Sequence, residues 1–253
     1  MQKPEHCRIE SANYLLAAKL RACLESQAQD FKRRLGQDLI CEEDAHFVAK
    51  ALATPHMWTR YHTRTYNEHW FEEGRERPDE PFPAKLYLKY VFACMDLQRI
   101  SWWEKSRDMM LSWACVAYLM RFAMTKPYCG VLFQTQKDDK VIQLVEYAKH
   151  LYRYSDARIK AACPLVKELE RQSEHELRFA NGSYIVGIPG GAHQIRSYHP
   201  WGYLNDESSF QPDAGECYNE ALAAVKGKII FNSSAGPGWY ADARRNIVRY
   251  EAD

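Results

Sequence analysis

The sequence predicts an α/β fold built on a mostly parallel sheet with helices on both faces. From residue 100 onward, short apolar runs alternate with amphipathic helical patterns, and this alternation is typical of parallel sheets. One apolar run ends in Asp206 and Glu207, and a later one ends in Ser233 and Ser234. Ligands of such sheets bind outside the carboxyl ends of the strands. These two ends therefore mark the predicted functional site.

Length and composition restrict the class of protein. The 253 residues have room for one large α/β domain, or for a core with a smaller appendage. The formal net charge of +1 argues against binding of nucleic acid through overall charge, so any DNA contact needs a local patch. No apolar run approaches the roughly 18 residues of a membrane span, so no membrane partner is expected. The eight cysteines form no Cys-x-x-Cys pair, which indicates reduced thiols in a cytosolic protein.

The first third of the chain is predicted to be helical and then irregular. Apolar residues at helical spacing predict a helix over 8–52. The segment 53–83 contains four prolines and is predicted to be an irregular connection. Residues 1–80 are therefore assigned to an N-terminal helical segment, and residues 81–253 to the α/β core.

The core is predicted to alternate strands with helices after a first helix at 86–97. The Asn181-Gly182 pair between two apolar runs predicts a hairpin of 177–180 with 183–187, followed by a Gly-rich loop at 189–191. The remaining strands are expected at 101–103, 128–134, 202–206 and from 229, and the remaining helices at 112–122, 138–153 and 215–224.

Asp206 and Glu207 have the arrangement of a Walker B element. Asp206 is predicted to hold Mg²⁺, which prefers carboxylate, hydroxyl and water oxygens. Glu207 is predicted to orient or deprotonate the water that attacks the γ-phosphate of ATP. The small hydroxyl residues after Phe231 suit a neighbouring strand that detects this phosphate. The alternative is an Asp-Glu pair in an ordinary loop.

A phosphate-binding loop is expected upstream, at 103–113. Backbone N–H groups at the start of the following helix would cradle the phosphates, and the Ser112 hydroxyl would touch Mg²⁺. The Gly-Lys pair that usually precedes this hydroxyl is replaced by Met110-Leu111. Glycine normally allows the backbone to turn close to a phosphate.

Two basic residues could replace the missing lysine. Lys105 and Arg107 could each reach the β- and γ-phosphate oxygens, and arginine could do so with two donors. The alternative is that the segment only begins a buried helix, with both side chains solvated. The predicted phosphate-binding residues are Lys105, Ser106, Arg107, Asp108, Met109, Met110, Leu111 and Ser112.

Taken together, these segments resemble the ATPase domain of the large terminase subunit of tailed bacteriophages, the motor that packages DNA into proheads. The resemblance covers about residues 80–240 and implies an additional-strand, RecA-like P-loop NTPase fold. The order of its pieces is specific. They are 105–112, 131–140, 177–185, 194–196, 202–207 and 231–235.

The resemblance implies a role for each matching residue. Lys105 corresponds to a phosphate lysine displaced to the start of the loop, and Arg107 to a loop arginine that stabilises γ-phosphate charge. Ser112 and Asp206 correspond to the Mg²⁺ ligands, and Glu207 to the catalytic carboxylate. The segment Ser233, Ser234 and Ala235 corresponds to the motif that couples hydrolysis to DNA movement. Of Arg158, Arg178 and Arg196, Arg196 is the preferred candidate for an arginine finger that acts on a neighbouring subunit, because it lies just before the Asp-Glu strand. The alternative is a solvated arginine.

The resemblance also implies partners. These are double-stranded DNA, the portal protein, the small terminase subunit and further copies of the chain in a ring on the portal, in the host cytoplasm. A full large terminase carries a C-terminal nuclease domain. Because this chain stops soon after the coupling motif, no nuclease activity is expected in it.

Two other functions stay open at this point. One is a helicase-like DNA translocase outside packaging. The other is a scaffold that keeps the P-loop fold, binds DNA or protein and has lost hydrolysis, as the altered loop would allow.

Overall fold

The structure, a computed structural model, describes residues 42–250 and the side chains of residues 43–245. The predicted α/β class is confirmed. Within these residues six strands form one sheet in the order β3-β8-β7-β4-β6-β5, parallel except for β5. β8 lies between β3 and β7, so the additional strand is present. The strands are β3 (Ile100–Lys105), β4 (Gly130–Gln134), β5 (Glu176–Arg178), β6 (Tyr184–Ile188), β7 (Gly202–Asp206) and β8 (Lys228–Ser234).

Helices cover both faces of this sheet, as predicted. One face carries α1 to α6 and the larger apolar core, and the other carries α7 to α9 and a smaller one. β4 and β7 are buried at every position, as expected for central parallel strands. The described helices are all too short or too polar to span a bilayer. They are α1 (Glu42–Ala51), α2 (Pro55–His62), α3 (Leu86–Leu97), α4 (Leu111–Thr125), α5 (Asp138–Arg153), α6 (Ala157–Ala162), α7 (His193–Arg196), α8 (Ala214–Ala224) and α9 (Trp239–Tyr250).

The prediction of an irregular connection over 53–83 is wrong in two places. Helix α2 forms there, followed by a hairpin of β1 (Arg64–Tyr66) with β2 (Asp79–Pro81). The helix has a start signal, because the Thr54 side chain accepts a hydrogen bond from the Met57 N–H at 3.2 Å and Pro55 occupies the first turn. Proline at this position starts a helix rather than breaking one.

The N-terminal helical prediction is described only in part. Within the predicted range 8–52, residues 42–51 form α1, and residues 1–41 lie outside the described residues. Val48 of α1 and Trp58 of α2 are buried in the same core as α4, and the Trp58 indole donates to Ser155 Oγ at 3.2 Å. The division of the chain at residue 80 stays a prediction.

The predicted hairpin is confirmed and it also caps helix α4. Gly182 has φ +81°, the left-handed conformation that favours glycine in such turns. The Asn181 side-chain amide donates to the carbonyls of Ala123, Met124 and Lys126 at 3.0–3.2 Å. These are carbonyls that the end of a helix otherwise leaves without partners.

Candidate functional site

Three strand ends meet at the carboxyl edge of the sheet. Lys105 ends β3, Asp206 ends β7 and Ser234 ends β8. The register places Lys105 beside Ser234, and Asp206 beside Asn232. The sheet order therefore brings together residues that are far apart in sequence, as the predicted site requires.

The carboxylate of Asp206 is buried and held by two side chains. Ser112 Oγ donates to Oδ2 at 2.8 Å, and Asn232 Nδ2 donates to Oδ1 at 2.6 Å. Burial raises the pKa of Asp206, while the charge of Lys105 and the hydrogen bonds from Ser112 and Asn232 act in the opposite direction, and Glu207 adds to the rise. This oxygen pair of Ser112 and Asp206 is the pair that the sequence predicted as Mg²⁺ ligands.

Lys105 and Glu207 form an ion pair across the site. The distance from Lys105 Nζ to Glu207 Oε1 is 2.9 Å, and the two side chains are 11% and 35% exposed. The backbone N–H of Ser234 donates to Glu207 Oε2 at 3.4 Å, and the Ser234 hydroxyl donates to Oε1 at the same distance. Glu207 therefore contacts both the end of β3 and the end of β8.

The Glu207 backbone lies in the left-handed region, with φ 56°. This conformation costs a non-glycine residue roughly 1–2 kcal/mol. A short 3₁₀ turn, Ser208–Phe210, follows, and the Ser209 N–H donates to Ser233 Oγ at 3.0 Å. The turn is thus tied to β8, and its unusual backbone directs a carboxylate to the edge of the sheet.

The phosphate-loop candidate connects β3 to α4 over residues 106–110. Asp108 and Met110 both have positive φ, at 60° and 55°. Met110 stands where the usual loop has glycine, so the backbone adopts the conformation that glycine favours although the glycine itself is absent. The Tyr87 hydroxyl donates to the Met109 carbonyl at 2.9 Å and anchors the loop to α3.

Several predicted site residues lie apart from this cluster. Ser106 and Arg107 are exposed on the loop, and Ala235 is exposed just after β8. Arg196 lies on α7, where its guanidinium pairs with the carboxylate of Glu220 on α8. The roles given to Arg107, Arg196 and Ala235 stay predictions.

Two residues of the site were not predicted from the sequence. Asn232 is fully buried and touches both Asp206 and Ser112. Gln211 Nε2 donates to the Asp206 carbonyl at 2.7 Å and so holds the turn that carries Glu207. An asparagine that directly follows the apolar run 229–231 was a usable signal for the first. Nothing in the sequence pattern pointed to the second.

The residues present fit a Mg²⁺ ion that is shared with phosphate. Ser112 and Asp206 offer adjacent hard oxygens, and such ions take one or two protein ligands and complete their shell with water and phosphate. Buried Asn232 Oδ1 has no hydrogen-bond partner within the described part of the chain, so it can accept from a water beside that ion. In the same part, no cluster of three or more His, Cys, Asp or Glu suits a dedicated metal site.

Comparison with solved structures identifies the fold. The large terminase of bacteriophage HK97 matches with a TM-score of 0.53 and 8% identity, over 69% of this chain and 38% of that one. Over the matched residues, the chain has the fold of the corresponding part of that large terminase. The predicted resemblance is therefore confirmed for the fold, and the strand order confirms the predicted mostly parallel sheet.

Two further structures from a Thermus phage also match. The large terminase ATPase domain of phage P74-26 has a TM-score of 0.46 and 14% identity, over 70% of this chain and 73% of that domain. An arginine-to-alanine mutant of that domain has a TM-score of 0.44 and 13% identity, over 70% and 74%. No protein-family model and no curated protein matches the sequence.

Proposed function

We propose that the chain is the ATPase motor domain of a viral large terminase, which hydrolyses ATP to drive double-stranded DNA into a prohead. The observation that carries the proposal is the pairing of Ser112 with Asp206 at 2.8 Å and of Lys105 with Glu207 at 2.9 Å. Both pairs lie at the carboxyl edge of a terminase fold, beside the loop that begins α4. A lysine, a hydroxyl and two carboxylates are the groups that phosphoryl transfer to water needs.

Glu207 is the proposed general base. Its carboxylate is paired with Lys105. The γ-phosphate of ATP would compete for this lysine, because an ammonium forms strong charge-assisted hydrogen bonds with phosphate oxygens. Glu207 would then accept a proton from water while the water oxygen bonds to the γ-phosphorus. The bond to the bridging oxygen breaks, and ADP leaves with the electron pair.

Ser112 and Asp206 would hold Mg²⁺, which neutralises phosphate charge when bound. Arg107, exposed on the loop, would contact the γ-phosphate and stabilise the charge that develops there. Arg196 would act on the site of a neighbouring subunit, after release from Glu220. Asp108, Met109, Met110 and Leu111 would supply backbone groups to the phosphates.

The end of β8 is the proposed output of the site. Ser234 contacts Glu207, and Ser233 contacts the turn that follows it. A change in the position of Glu207 on hydrolysis would therefore move residues 233–235. The proposal implies a ring of copies on a portal, with double-stranded DNA and a small terminase subunit as further partners.

Phosphate release from Mg·ATP tests the proposal. Wild type is expected to release phosphate only with Mg²⁺, and Glu207→Gln is expected to lower the rate by roughly 10²–10⁴-fold, the usual contribution of a general base. Glu168→Gln is the matched control and should keep the wild-type rate, because Glu168 is an exposed glutamate that precedes a 3₁₀ turn remote in sequence from the site.

The rival functions give different results. If the chain is a hydrolysis-deficient scaffold, the wild-type protein will release no phosphate, with DNA or without it. A helicase-like translocase would hydrolyse ATP and separate the strands of a duplex, which a packaging motor does not do. Either result contradicts the proposed motor.

A further inference from the structure

A second polar cluster lies on the opposite face of the sheet from the phosphate loop. Side chains alternate along β7, so Leu204 faces the α4 side while Tyr203 faces the smaller core with α8. Asn205 is bonded to Tyr203 and to Gln211, and Gln134 of the neighbouring strand β4 is aligned with Asn205. All four of these polar side chains, Gln134, Tyr203, Asn205 and Gln211, are at most 5% exposed.

One end of this cluster holds the turn that carries Glu207. Asn205 and Gln211 form a reciprocal amide pair, with N···O distances of 2.8 and 3.3 Å. Gln211 Nε2 also donates to the Asp206 carbonyl, and Ser208 Oγ donates to Asn205 Oδ1 at 2.7 Å. The residues on both sides of Glu207 are therefore fixed from the far face of the sheet.

The other end of the cluster holds the Gly-rich loop. Asn205 Nδ2 donates to the Tyr203 hydroxyl at 2.8 Å, and this hydroxyl donates to Gln134 Oε1. Gln134 Nε2 in turn donates to the carbonyls of Pro189 and Gly191, both at 3.0 Å. The Tyr203 hydroxyl is thus the link between the loop and the Glu207 turn.

The donors and acceptors of this chain of bonds match along its whole length. Each amide uses its nitrogen and its oxygen, and the hydroxyl both donates and accepts. A buried polar network that is satisfied in this way rigidifies its surroundings, whereas a partly satisfied one is costly. Removal of one central group is therefore expected to loosen both ends.

We propose that Gln134, Tyr203, Asn205 and Gln211 are positioning residues for Glu207, and that they make loop 189–191 a control point of hydrolysis. The loop is only half-buried and leads directly into α7, so a neighbouring molecule can reach it. A shift of its backbone would change the Gln134 contacts and, through Tyr203, the turn at Glu207. The effect expected on kcat rests on the proposed ATPase function.

Tyr203→Phe tests the link, because it removes one hydroxyl and keeps a buried ring. The variant is expected to lower kcat for ATP by roughly 10- to 100-fold, the usual cost of losing an outer-shell partner of a ligating group, with an unchanged KM. Tyr118→Phe is the matched control. Tyr118 is equally buried, and its hydroxyl donates to the Met95 carbonyl at 2.8 Å, outside the network. It should lose stability in the same way and keep the wild-type kcat.

Gln211→Ala tests the coupling without any use of activity. Amide hydrogen exchange at residues 190–192 is expected to accelerate in this variant, although Gln211 bonds to Asn205 and Asp206 rather than to the loop. Tyr203→Phe should accelerate the same amides, and Tyr118→Phe should not.

Equal kcat values for the two tyrosine variants would overturn the positioning role. Unchanged exchange at 190–192 in both Gln211→Ala and Tyr203→Phe would overturn the control point. If wild type hydrolyses no ATP, the proposed function fails, and the exchange measurement still decides whether the loop and the turn are coupled.

Discussion

The two sides of the candidate site are built differently. On the acid side, Asp206 is buried and hydrogen-bonded to Ser112 and Asn232. Glu207 contacts Lys105 and Ser234 at the strand ends. On the loop side, residues 106–108 are exposed, and the backbone holds a left-handed conformation at Asp108 and Met110 without glycine.

This difference indicates how the site would work. The protein alone organises the acid side, because the strand register and the buried polar contacts fix both carboxylates. On the loop side the Tyr87 hydroxyl anchors the backbone at Met109, and the charged side chains of Arg107 and Asp108 are exposed. A chain can therefore lose the Gly-Lys pair and keep a nucleotide site, if Lys105 replaces the missing lysine.

Asp206→Asn should produce the largest change. It is expected to change activity and stability in opposite directions. Hydrolysis is expected to fall to background, while the free energy of unfolding at neutral pH is expected to rise. Burial holds the pKa of Asp206 above its unfolded-state value. The neutral Asp206 carboxyl therefore contributes to the free energy of unfolding fully below the unfolded-state pKa. This contribution is lost as pH rises through the folded-state pKa.

Chemical denaturation over a pH series measures this effect. The advantage of Asp206→Asn should shrink as the pH falls towards the unfolded-state pKa, where wild type also carries a neutral carboxyl. A variant that is less stable than wild type at neutral pH would mean that burial does not raise the pKa of Asp206 in the folded protein, contrary to expectation.

Met110→Gly tests the strain on the loop side. Relief of the left-handed backbone is expected to raise the free energy of unfolding by about 1–2 kcal/mol. The lost packing of the half-buried Met110 side chain reduces this gain. Met109→Gly is the matched control, since Met109 is also half-buried and is not among the residues with positive φ. Thermal unfolding should show Met110→Gly to be clearly the more stable of the two variants. Equal stabilities would remove the argument for a glycine-like turn.

Tyr87→Phe should have a smaller effect. It removes the hydrogen bond to the Met109 carbonyl, a contact worth about 0.5–1.5 kcal/mol. Because this contact anchors the loop, the KM for ATP is expected to rise a few-fold, in keeping with that energy, while kcat stays close to wild type. A fall in kcat with unchanged KM would place Tyr87 with the acid side instead.

The sequence predicted the parts of the molecule whose signal is local. Helix α5 was predicted with the bounds observed, because a long amphipathic pattern specifies its own ends. The strands that carry Asp206 and Ser234 were predicted from apolar runs with polar ends. The strand predicted at 101–103 extends to Lys105, which had been predicted to lie in the phosphate loop. The sheet order then brought these residues together, as the family resemblance implied.

The parts of the fold that were not predicted depend on how the strands align or on a single helix-capping residue. The hydrogen-bond network of Gln134, Tyr203, Asn205 and Gln211 joins β4, β7 and the segment before α8. No periodic pattern in the sequence marks such partners. Helix α2 was missed because its proline looks like a breaker until Thr54 is recognised as a cap. The pairing of Arg196 with Glu220 likewise depends on how α7 packs against α8.

Calorimetric titration of Mg·ATP onto wild type, Lys105→Ala and Lys167→Ala tests the central claim most directly. Lys167 is an exposed lysine remote in sequence from the site and serves as the control. We expect wild type and Lys167→Ala to bind alike, and Lys105→Ala to bind roughly 10- to 100-fold more weakly, since a hydrogen bond to a charged group is worth about 1.5–3 kcal/mol. Binding to wild type that Lys105→Ala leaves unchanged would contradict the displaced phosphate lysine and the nucleotide site built around it.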